Sequence, residues 1–241
     1  MKIIVSENYE ALSRQIAADV AEVLINLERP LFCPTSGDTP KGLYAALLDL
    51  QKAGKINFSN CLLVGLDEWT NMNGEDEGSC RQSLDVHFFG PAGIAAEQVC
   101  FFDGKNTNGE AECKKVEDFI AANGGIDLVV LGLGLNGHVG MNEPGTPADI
   151  RSHVSILDPQ TAQTGQKYFT RPTALATGLT LGIATLLSAK HIFLMVNGSR
   201  KAAIVKHVVD TDATESIPAT LLKGHPGFHI YLDKAAAAFI E

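Results

Sequence analysis

The chain has 241 residues, 45% of them hydrophobic and 20% charged, which is enough to bury a substantial core in one domain. Its formal net charge of −9 disfavours nucleic acid as a partner, because binding to a phosphate backbone needs a basic face. No apolar run is long enough for a membrane span, so we expect a cytoplasmic protein without a membrane partner. Five cysteines without a C-x-x-C pair indicate neither a disulfide framework nor a zinc site.

Strand and helix patterns alternate along the chain. Apolar residues at three- and four-residue steps mark helices, and short β-branched runs mark strands. In chain order the predicted elements are a strand at 2–5, a helix at 7–27, a strand at 30–34, a helix at 41–52, a strand at 61–66, a short helix at 80–89, a strand at 99–102, a helix at 109–123, a strand from 126, strands at 153–157 and 178–181, a small helix up to 188, a strand at 191–196, a helix up to 209, a strand at 228–232 and a terminal helix at 234–240. This alternation predicts an α/β fold, with residues 1–241 forming one Rossmann-like domain, a three-layer sandwich around a mostly parallel sheet.

The strand from Ile126 leads into the most informative loop. The strand is apolar on both faces, as is typical of the centre of a parallel sheet. The glycine-rich loop after it carries His138 and Glu143 at the carboxyl end of the strand, where open α/β sheets bind ligands. A histidine and a carboxylate on one rigid turn can form a general acid/base pair near neutral pH.

The same loop also matches a dinucleotide-binding pattern. Gly132, Gly134 and Gly137 follow the strand as G-x-G-x-x-G, and Asp158 lies further along the chain. That pattern requires a helix that opens at the third glycine and presents its N–H groups to a pyrophosphate. Pro144 follows too soon, since a residue before proline is disfavoured in a helix. The sequence therefore disfavours nicotinamide or flavin binding.

A polar turn precedes the helix at 41–52. Ser36, Gly37 and Thr39 lie between a strand and Pro40, which suits the first turn of a helix. Free N–H groups and hydroxyls at such a turn can bind an anion. The same residues can equally serve only as a helix cap, and the sequence leaves both functions open.

Charged residues follow other strands of the predicted sheet. Asp67 and Glu68 are adjacent, so they point to opposite faces, and one can enter a crevice while the other pairs with a backbone group. Lys201 follows Gly198 and Ser199 at a helix start, where it can meet an anion or remain solvated. The turn at 36–39, Asp67, the loop at 136–143 and the segment at 198–201 each follow a core strand. They can therefore lie together at one edge of the sheet.

The order of these motifs resembles that of the glucosamine-6-phosphate deaminase/isomerase family over essentially the whole chain. The motifs are Ser36-Gly37-x-Thr39-Pro40, Leu66-Asp67-Glu68-Trp69, Leu131-Gly132-x-Gly134-x-Asn136-Gly137-His138 with Asn142-Glu143-Pro144-Gly145, and Gly198-x-x-Lys201. The LDEW, GLGLNGH and SILD segments are more similar to the galactosamine-6-phosphate deaminase branch of the family.

The resemblance implies an enzyme that opens a 2-amino-2-deoxyhexose 6-phosphate, moves a proton from C2 to C1 and releases ammonia without a metal or organic cofactor. Its expected partner is this small amino-sugar phosphate, and a homo-oligomer is possible. The implied catalytic roles are base for Asp67, ring opening for His138, and orientation of that imidazole for Glu143 and Asn136. The implied phosphate-binding residues are Ser36, Gly37, Thr39, Lys201 and Lys167.

Three positions depart from the family pattern. Asn136 stands where aspartate is common, so it should orient His138 rather than titrate. Asp38 stands where a small neutral residue is usual, and it would repel phosphate unless its side chain points outward. Lys167 stands where an arginine is usual, so the bidentate fork is missing.

Two other functions compete with the deaminase. A 6-phosphogluconolactonase would share the fold and a Gly-His loop, and a sugar-phosphate sensor would share the binding site. Asp67 together with His138 and Glu143 argues against the sensor, which needs no base. The sequence does not determine which C4 epimer is the substrate.

Overall fold

The structure is a computed structural model that describes residues 1–240. Its strands are β1 (Lys2–Ser6), β2 (Leu31–Cys33), β3 (Leu62–Val64), β4 (Asp67–Trp69), β5 (Val99–Cys100), β6 (Leu128–Gly132), β7 (His153–Ile156), β8 (Thr177–Thr180), β9 (His191–Val196) and β10 (Phe228–Asp233). Its helices are α1 (Tyr9–Ile25), α2 (Lys41–Lys52), α3 (Cys80–Leu84), α4 (Gly90–Ala92), α5 (Gly109–Ala122), α6 (Pro159–Gly165), α7 (Ile183–Leu187) and α8 (Ala202–Asp210).

A seven-stranded sheet forms the centre of the molecule, in the order β1-β10-β9-β6-β2-β3-β5. Its neighbouring strands pair in parallel. From β2 the chain builds outward through β3 and β5, and it then returns to the other side of β2 with β6 and builds outward through β9 and β10. Such a reversal leaves a crevice between two loops at the carboxyl ends of the strands, here the loops after β2 and β6.

Helices cover both faces of the sheet, because side chains along each strand alternate between two apolar layers. On β6, Leu128 and Val130 pack in the layer that contains the buried stripes of α1 and α2. Val129 and Leu131 pack in the opposite layer, with side chains from α5, α7 and α8. All four side chains of β6 are fully buried. The predicted α/β three-layer fold is confirmed.

A small second sheet was not predicted. Strands β4, β8 and β7 pair antiparallel in that order, next to the central sheet. The predicted strand at 61–66 ends as β3 at Val64, and the chain then enters the second sheet as β4. The change occurs at Gly65, where a Cβ atom would lie 2.6 Å from the ring of Phe101. A residue with a side chain would clash with that ring, so the close approach of the two segments requires glycine.

The predicted terminal helix at 234–240 was wrong. Residues 234–239 form successive turns rather than a helix. Their hydrogen bonds alternate in span, from Ala237 N to Asp233 O and from Ile240 N to Ala237 O. The segment is held in turns by burial of Ala236 and by the hydrogen bond from Lys234 N to the carbonyl oxygen of Ser6 at 2.9 Å. Among residues 1–240, none of the helices is long and apolar enough to cross a membrane.

Candidate active site

One cleft lies at the carboxyl ends of the central strands and encloses about 200 Å³. It is lined by the turn after β2, by strand β4, by the loop after β6, by helix α6 and the turn after it, and by the residue before α8. The polar and ionisable side chains of its lining include Ser36, Asp38, Thr39, Asp67, Cys80, Asn136, His138, Thr161, Lys167, Tyr168 and Lys201. The fold therefore brings together the segments that the sequence places after separate strands.

The loop after β6 folds back on itself around the imidazole of His138. Gly134 N donates to the carbonyl oxygen of His138 at 2.9 Å, which closes the turn. A Cβ atom at Gly134 would lie only 2.3 Å from Nδ1 of His138, so any side chain there would displace the ring. Asn142 anchors the far end of the loop, since its buried amide donates to the carbonyls of Val139 and Leu181 at 2.8 and 2.9 Å. The imidazole thus sits on a fixed backbone.

The contacts of Asn136 define the tautomer of His138. The Asn136 amide nitrogen donates to Oε2 of Glu143 at 2.8 Å, so its oxygen faces the histidine. That oxygen lies 2.8 Å from Nδ1 and also accepts from the backbone N–H of His138 at 3.2 Å. Because an amide oxygen only accepts, Nδ1 carries the proton in the neutral ring. Nε2 is then the nitrogen free to accept a proton from a ligand in the cleft.

Glu143 lies behind the imidazole as a buried anion. Its Oε2 is 3.4 Å from Nδ1 of His138, and the side chain is almost fully buried. Burial by itself would raise the pKa of Glu143, but the nearby ring N–H and positive charge of His138, the Thr161 hydroxyl and the hydrogen bond from Asn136 hold that pKa below its usual value. A carboxylate that stays ionised can stabilise a protonated imidazole.

Strand β4 separates the two adjacent carboxylates, as strand alternation predicts. Asp67 points into the cleft, whereas Glu68 is fully buried on the other side. The Glu68 carboxylate accepts hydrogen bonds from Trp69 N, Ser79 Oγ, Cys80 N and Arg81 N at 2.8–3.0 Å. It therefore caps the amino end of α3 and fixes α3 against β4.

Asp67 has the electrostatics of a base that works near neutral pH. Burial raises its pKa to about 7, and the negative charge of Glu68 adds to that rise. A hydrogen bond from the Cys80 thiol and the positive charge of His138 act in the opposite direction. A carboxyl group with this pKa is able to take a proton from carbon and return it at physiological pH.

The turn after β2 forms one end of the cleft. Gly37 has φ +101°, a conformation that favours glycine, and a Cβ atom there would lie 3.1 Å from the hydroxyl of Tyr168. Thr39 is held by a hydrogen bond from its hydroxyl to Oδ1 of Asn197 at 2.8 Å. Ser36 and Gly37 line the cleft directly. The turn is therefore close-packed against the segment that follows α6.

The carboxylate of Asp38 is neutralised by two lysines. Lys41 Nζ lies 2.9 Å from its Oδ1, and Lys167 Nζ lies 2.7 Å from its Oδ2. Although burial acts to raise the pKa of Asp38, hydrogen bonds and charge from both lysines lower it overall. Lys167 thus reaches the cleft, but its ammonium group has an acidic partner there.

Lys201, unlike Lys167, contacts a backbone carbonyl group rather than a carboxylate. Its ammonium group donates to the carbonyl oxygen of Leu133 in the loop after β6. Burial lowers its pKa to about 8, and the nearby positive charges of Lys167 and Arg200 add to the effect. The ammonium group is therefore still charged at pH 7, and an anion in the cleft would offset its burial and repulsion.

Helix α6 and its contacts were missed from the sequence. Asp158 caps this helix, since its Oδ1 accepts from Gln160 N at 2.7 Å and Pro159 occupies the first turn. The Asp-Pro pair was a usable helix-start signal. The helix brings Thr161 to the cleft, where its Oγ1 lies 3.1 Å from Nδ1 of His138. Neither this contact nor that of Cys80 with Asp67 has a local signature in the sequence.

Fold and cleft together define a parallel α/β protein with a small-ligand site at its topological switch point, equipped with a carboxylate, an imidazole–carboxylate pair and cationic groups. Residues 6–230 match the family model described as glucosamine-6-phosphate isomerases/6-phosphogluconolactonase. The chain belongs to this family.

Relatives of the chain match it along almost their entire length. A glucosamine-6-phosphate deaminase of Bacillus velezensis is 34% identical over 238 residues, which cover 98% of this chain and 99% of the relative. The corresponding protein of Thermoanaerobacter pseudethanolicus is 33% identical and covers 100% of this chain with 95% of its own length.

Solved structures agree with this assignment. The structure of a monomeric glucosamine-6-phosphate deaminase superposes with a TM-score of 0.95 at 32% identity and covers 99% of both chains. A 6-phosphogluconolactonase from Trypanosoma brucei superposes with a TM-score of 0.78 at 20% identity, over 100% of this chain and 98% of the other, and shares the fold.

Proposed function

We propose that this protein is a glucosamine-6-phosphate deaminase/isomerase, which converts the amino-sugar phosphate and water to fructose 6-phosphate and ammonia. The observation that carries the proposal is the presence of two separate proton-transfer groups in one cleft. Asp67 supplies a carboxylate with a pKa of about 7, and His138 offers Nε2 while Asn136 accepts from Nδ1. Full-length relatives named as glucosamine-6-phosphate deaminases support the same activity.

His138 opens the sugar ring in this scheme. Nε2 takes the proton from the anomeric hydroxyl O1 and delivers it to the ring oxygen O5, so that the C1–O5 bond breaks and an open-chain aldehyde forms. The imidazole is positively charged between these two transfers. The ionised Glu143 at 3.4 Å from Nδ1 stabilises that charge, and Asn136 keeps the ring in place.

Asp67 then performs the isomerisation. Its carboxylate takes the proton from C2 while the protonated amino group of the substrate gives a proton to O1, which leaves an enolamine between C1 and C2. The protonated Asp67 then returns its proton to C1, which produces the 2-iminium form of the ketose. Water adds to C2 and passes a proton to the nitrogen, the C–N bond breaks as the new hydroxyl loses its proton, and the ketose 6-phosphate and ammonium leave. The net reaction neither oxidises nor reduces the sugar as a whole, so it needs no redox cofactor.

In this scheme the 6-phosphate of the substrate binds at the turn formed by Ser36, Gly37 and Thr39. Lys201 and Lys167 supply the positive charge that balances it. Lys201 is the stronger of the two in this role, because its ammonium group contacts only a carbonyl oxygen, whereas Lys167 pairs with Asp38. Phosphate binding would raise the pKa of Lys201 from about 8, and that gain contributes to affinity.

Galactosamine 6-phosphate is the second candidate substrate. The LDEW segment at Leu66–Trp69 and the loop sequence around His138 are the features that favour it. The two sugars differ only at C4, so the same acid and base groups serve both. A lactonase activity is less well supported, because full-length relatives at 34% and 33% identity are named as deaminases, whereas the lactonase structure is 20% identical.

Ammonia release tests the proposal. Purified protein is incubated with glucosamine 6-phosphate, galactosamine 6-phosphate and 6-phosphogluconolactone in parallel, and ammonia and acid production are followed. The proposal predicts ammonia from at least one amino sugar, with the higher kcat/KM for glucosamine 6-phosphate. A higher kcat/KM for galactosamine 6-phosphate would transfer the assignment to that branch. Lactone hydrolysis without ammonia release would contradict the deaminase function.

A further inference from the structure

Helix α6 places a buried hydroxyl group behind the imidazole of His138. Thr161 is 9% exposed, and its Oγ1 lies 3.1 Å from Nδ1 of His138. The same hydroxyl helps to hold the pKa of the Glu143 carboxyl below its usual value. Thr161 thus contacts the imidazole and also stabilises the charge of its carboxylate partner.

We propose that Thr161 is a positioning residue for His138, an inference that rests on the proposed deaminase function. A ring held only through Asn136 is fixed by one side chain from its own loop, and it can still tilt about its Cβ–Cγ bond. Thr161 adds a second contact from a different element, at a similar distance from the same nitrogen. Two contacts from two elements fix the plane of the ring and so aim Nε2 at the sugar.

The hydroxyl also stabilises the charge of the carboxylate. Within residues 1–240, Oε1 of Glu143 is buried and has no hydrogen-bond partner. The carboxylate is held through its other oxygen, Oε2, by Asn136 at 2.8 Å and beside His138 at 3.4 Å, and the Thr161 hydroxyl adds to the stabilisation of its charge. A hydroxyl group can accept from Nδ1–H and donate to the carboxylate at the same time, which valine, of nearly the same shape, cannot do.

The loss of this hydroxyl should slow proton transfer more than it weakens binding. A positioned general acid/base contributes roughly 10²–10⁴-fold to a rate, and misalignment forfeits part of that factor. We expect Thr161→Val to lower kcat for ammonia release about 10- to 100-fold, with KM changed less than about twofold. Thr161→Ser keeps the hydroxyl and should recover kcat to within about threefold of the unmodified protein.

The experiment first confirms ammonia release by the unmodified protein and then compares Thr161→Val with Thr161→Ser. Affinity for 2-amino-2-deoxyglucitol 6-phosphate, an acyclic analogue that needs no ring opening, is measured by calorimetry for all three proteins. The inference predicts equal affinity for the analogue and a kcat loss confined to the valine variant. Thermal unfolding is recorded for each, and Thr161→Ala replaces the valine variant if the latter does not fold.

Two results would overturn the role of Thr161 while leaving the deaminase function intact. One is a wild-type kcat in Thr161→Val. The other is an equal loss in the serine variant or a parallel loss of affinity for the analogue, which would indicate packing rather than the hydroxyl. Absence of ammonia release from the unmodified protein would instead remove the proposed function, and this inference with it.

Discussion

Lys167 and Asp38 form an ion pair across the cleft, with Nζ 2.7 Å from Oδ2. The two residues lie 129 positions apart in the chain, and each stands where the family pattern has a different residue type. The carboxylate that would repel a phosphate is thus paired with the lysine that would attract it. Since Lys41 contacts the other carboxylate oxygen, the cluster carries a net positive charge.

Removal of the Asp38 charge should therefore improve phosphate binding. In Asp38→Asn both lysines keep their charge and lose their acidic partner. About half of the Asp38 side chain is exposed, so solvent screens the effect. We expect KM to fall about threefold to fivefold, with kcat nearly unchanged. Steady-state kinetics with glucosamine 6-phosphate measures this.

Asp49→Asn is the matched control, because Asp49 also pairs with a lysine three residues away but on the exposed face of α2. It should leave KM unchanged. A higher KM in Asp38→Asn would show that Asp38 holds Lys167 in its binding position.

Lys201 should make substrate binding sensitive to alkaline pH. Burial and neighbouring positive charges lower its pKa to about 8, so it is charged below this pH and neutral above it. KM should accordingly rise as the pH passes through about 8. Lys201→Met should raise KM about tenfold or more at pH 7 and abolish that dependence.

Lys206→Met provides the control, since Lys206 lies on α8 and pairs with Asp210 on the surface. If Lys201→Met and Lys206→Met have the same KM, Lys201 does not bind the phosphate.

The rate should fall in acid because Asp67 must be ionised to take a proton. Burial raises its pKa to about 7, so kcat/KM should decrease below that pH as the carboxylate becomes protonated. Cys80→Ala removes the thiol hydrogen bond that lowers this pKa, and the acid limb of the profile should move to higher pH. An unchanged acid limb in Cys80→Ala would show that the limb belongs to another group.

Asp67 should also make the fold less stable as pH rises. Its folded pKa lies above its unfolded value, so the folded state holds the proton more tightly, and stability from this group is present in acid and lost between about pH 4 and 7. Asp67→Asn cannot ionise. We expect it to increase the free energy of unfolding at pH 8 by up to about 4 kcal/mol, and by almost nothing near pH 4.

Urea unfolding of both proteins at the two pH values measures this difference. An Asp67→Asn variant that is less stable than the unmodified protein at pH 8 would contradict the burial argument.

The sequence was most informative where a chemical pattern changes abruptly. The apolar run into the loop of His138 predicts β6 and its crevice, and the alternation of strand side chains predicts that Asp67 and Glu68 face opposite ways. Both patterns depend on local geometry alone. The placement of Asn136 could be expected from its spacing to His138 within one tight loop.

Other features depend on contacts between distant segments. After β3 ends at Val64, Gly65 leaves room for the ring of Phe101, and the ion pair of Lys167 with Asp38 joins segments on two sides of the cleft. Thr161 reaches His138 only because α6 packs against the loop after β6. The terminal segment has helix-forming alanines, but the burial of Ala236 and the hydrogen bond from Lys234 N to the carbonyl oxygen of Ser6 hold it in turns.

In the proposed mechanism Asp67 moves a proton between C2 and C1 of the sugar. The most direct test uses glucosamine 6-phosphate labelled with deuterium at C2, with the unmodified protein and with Asp67→Asn. The unmodified protein should release ammonia and move the label to C1 of the ketose or to solvent. Asp67→Asn should still bind the substrate but should neither move the label nor release ammonia. Label movement and ammonia release at the unmodified rate in Asp67→Asn would contradict this mechanism.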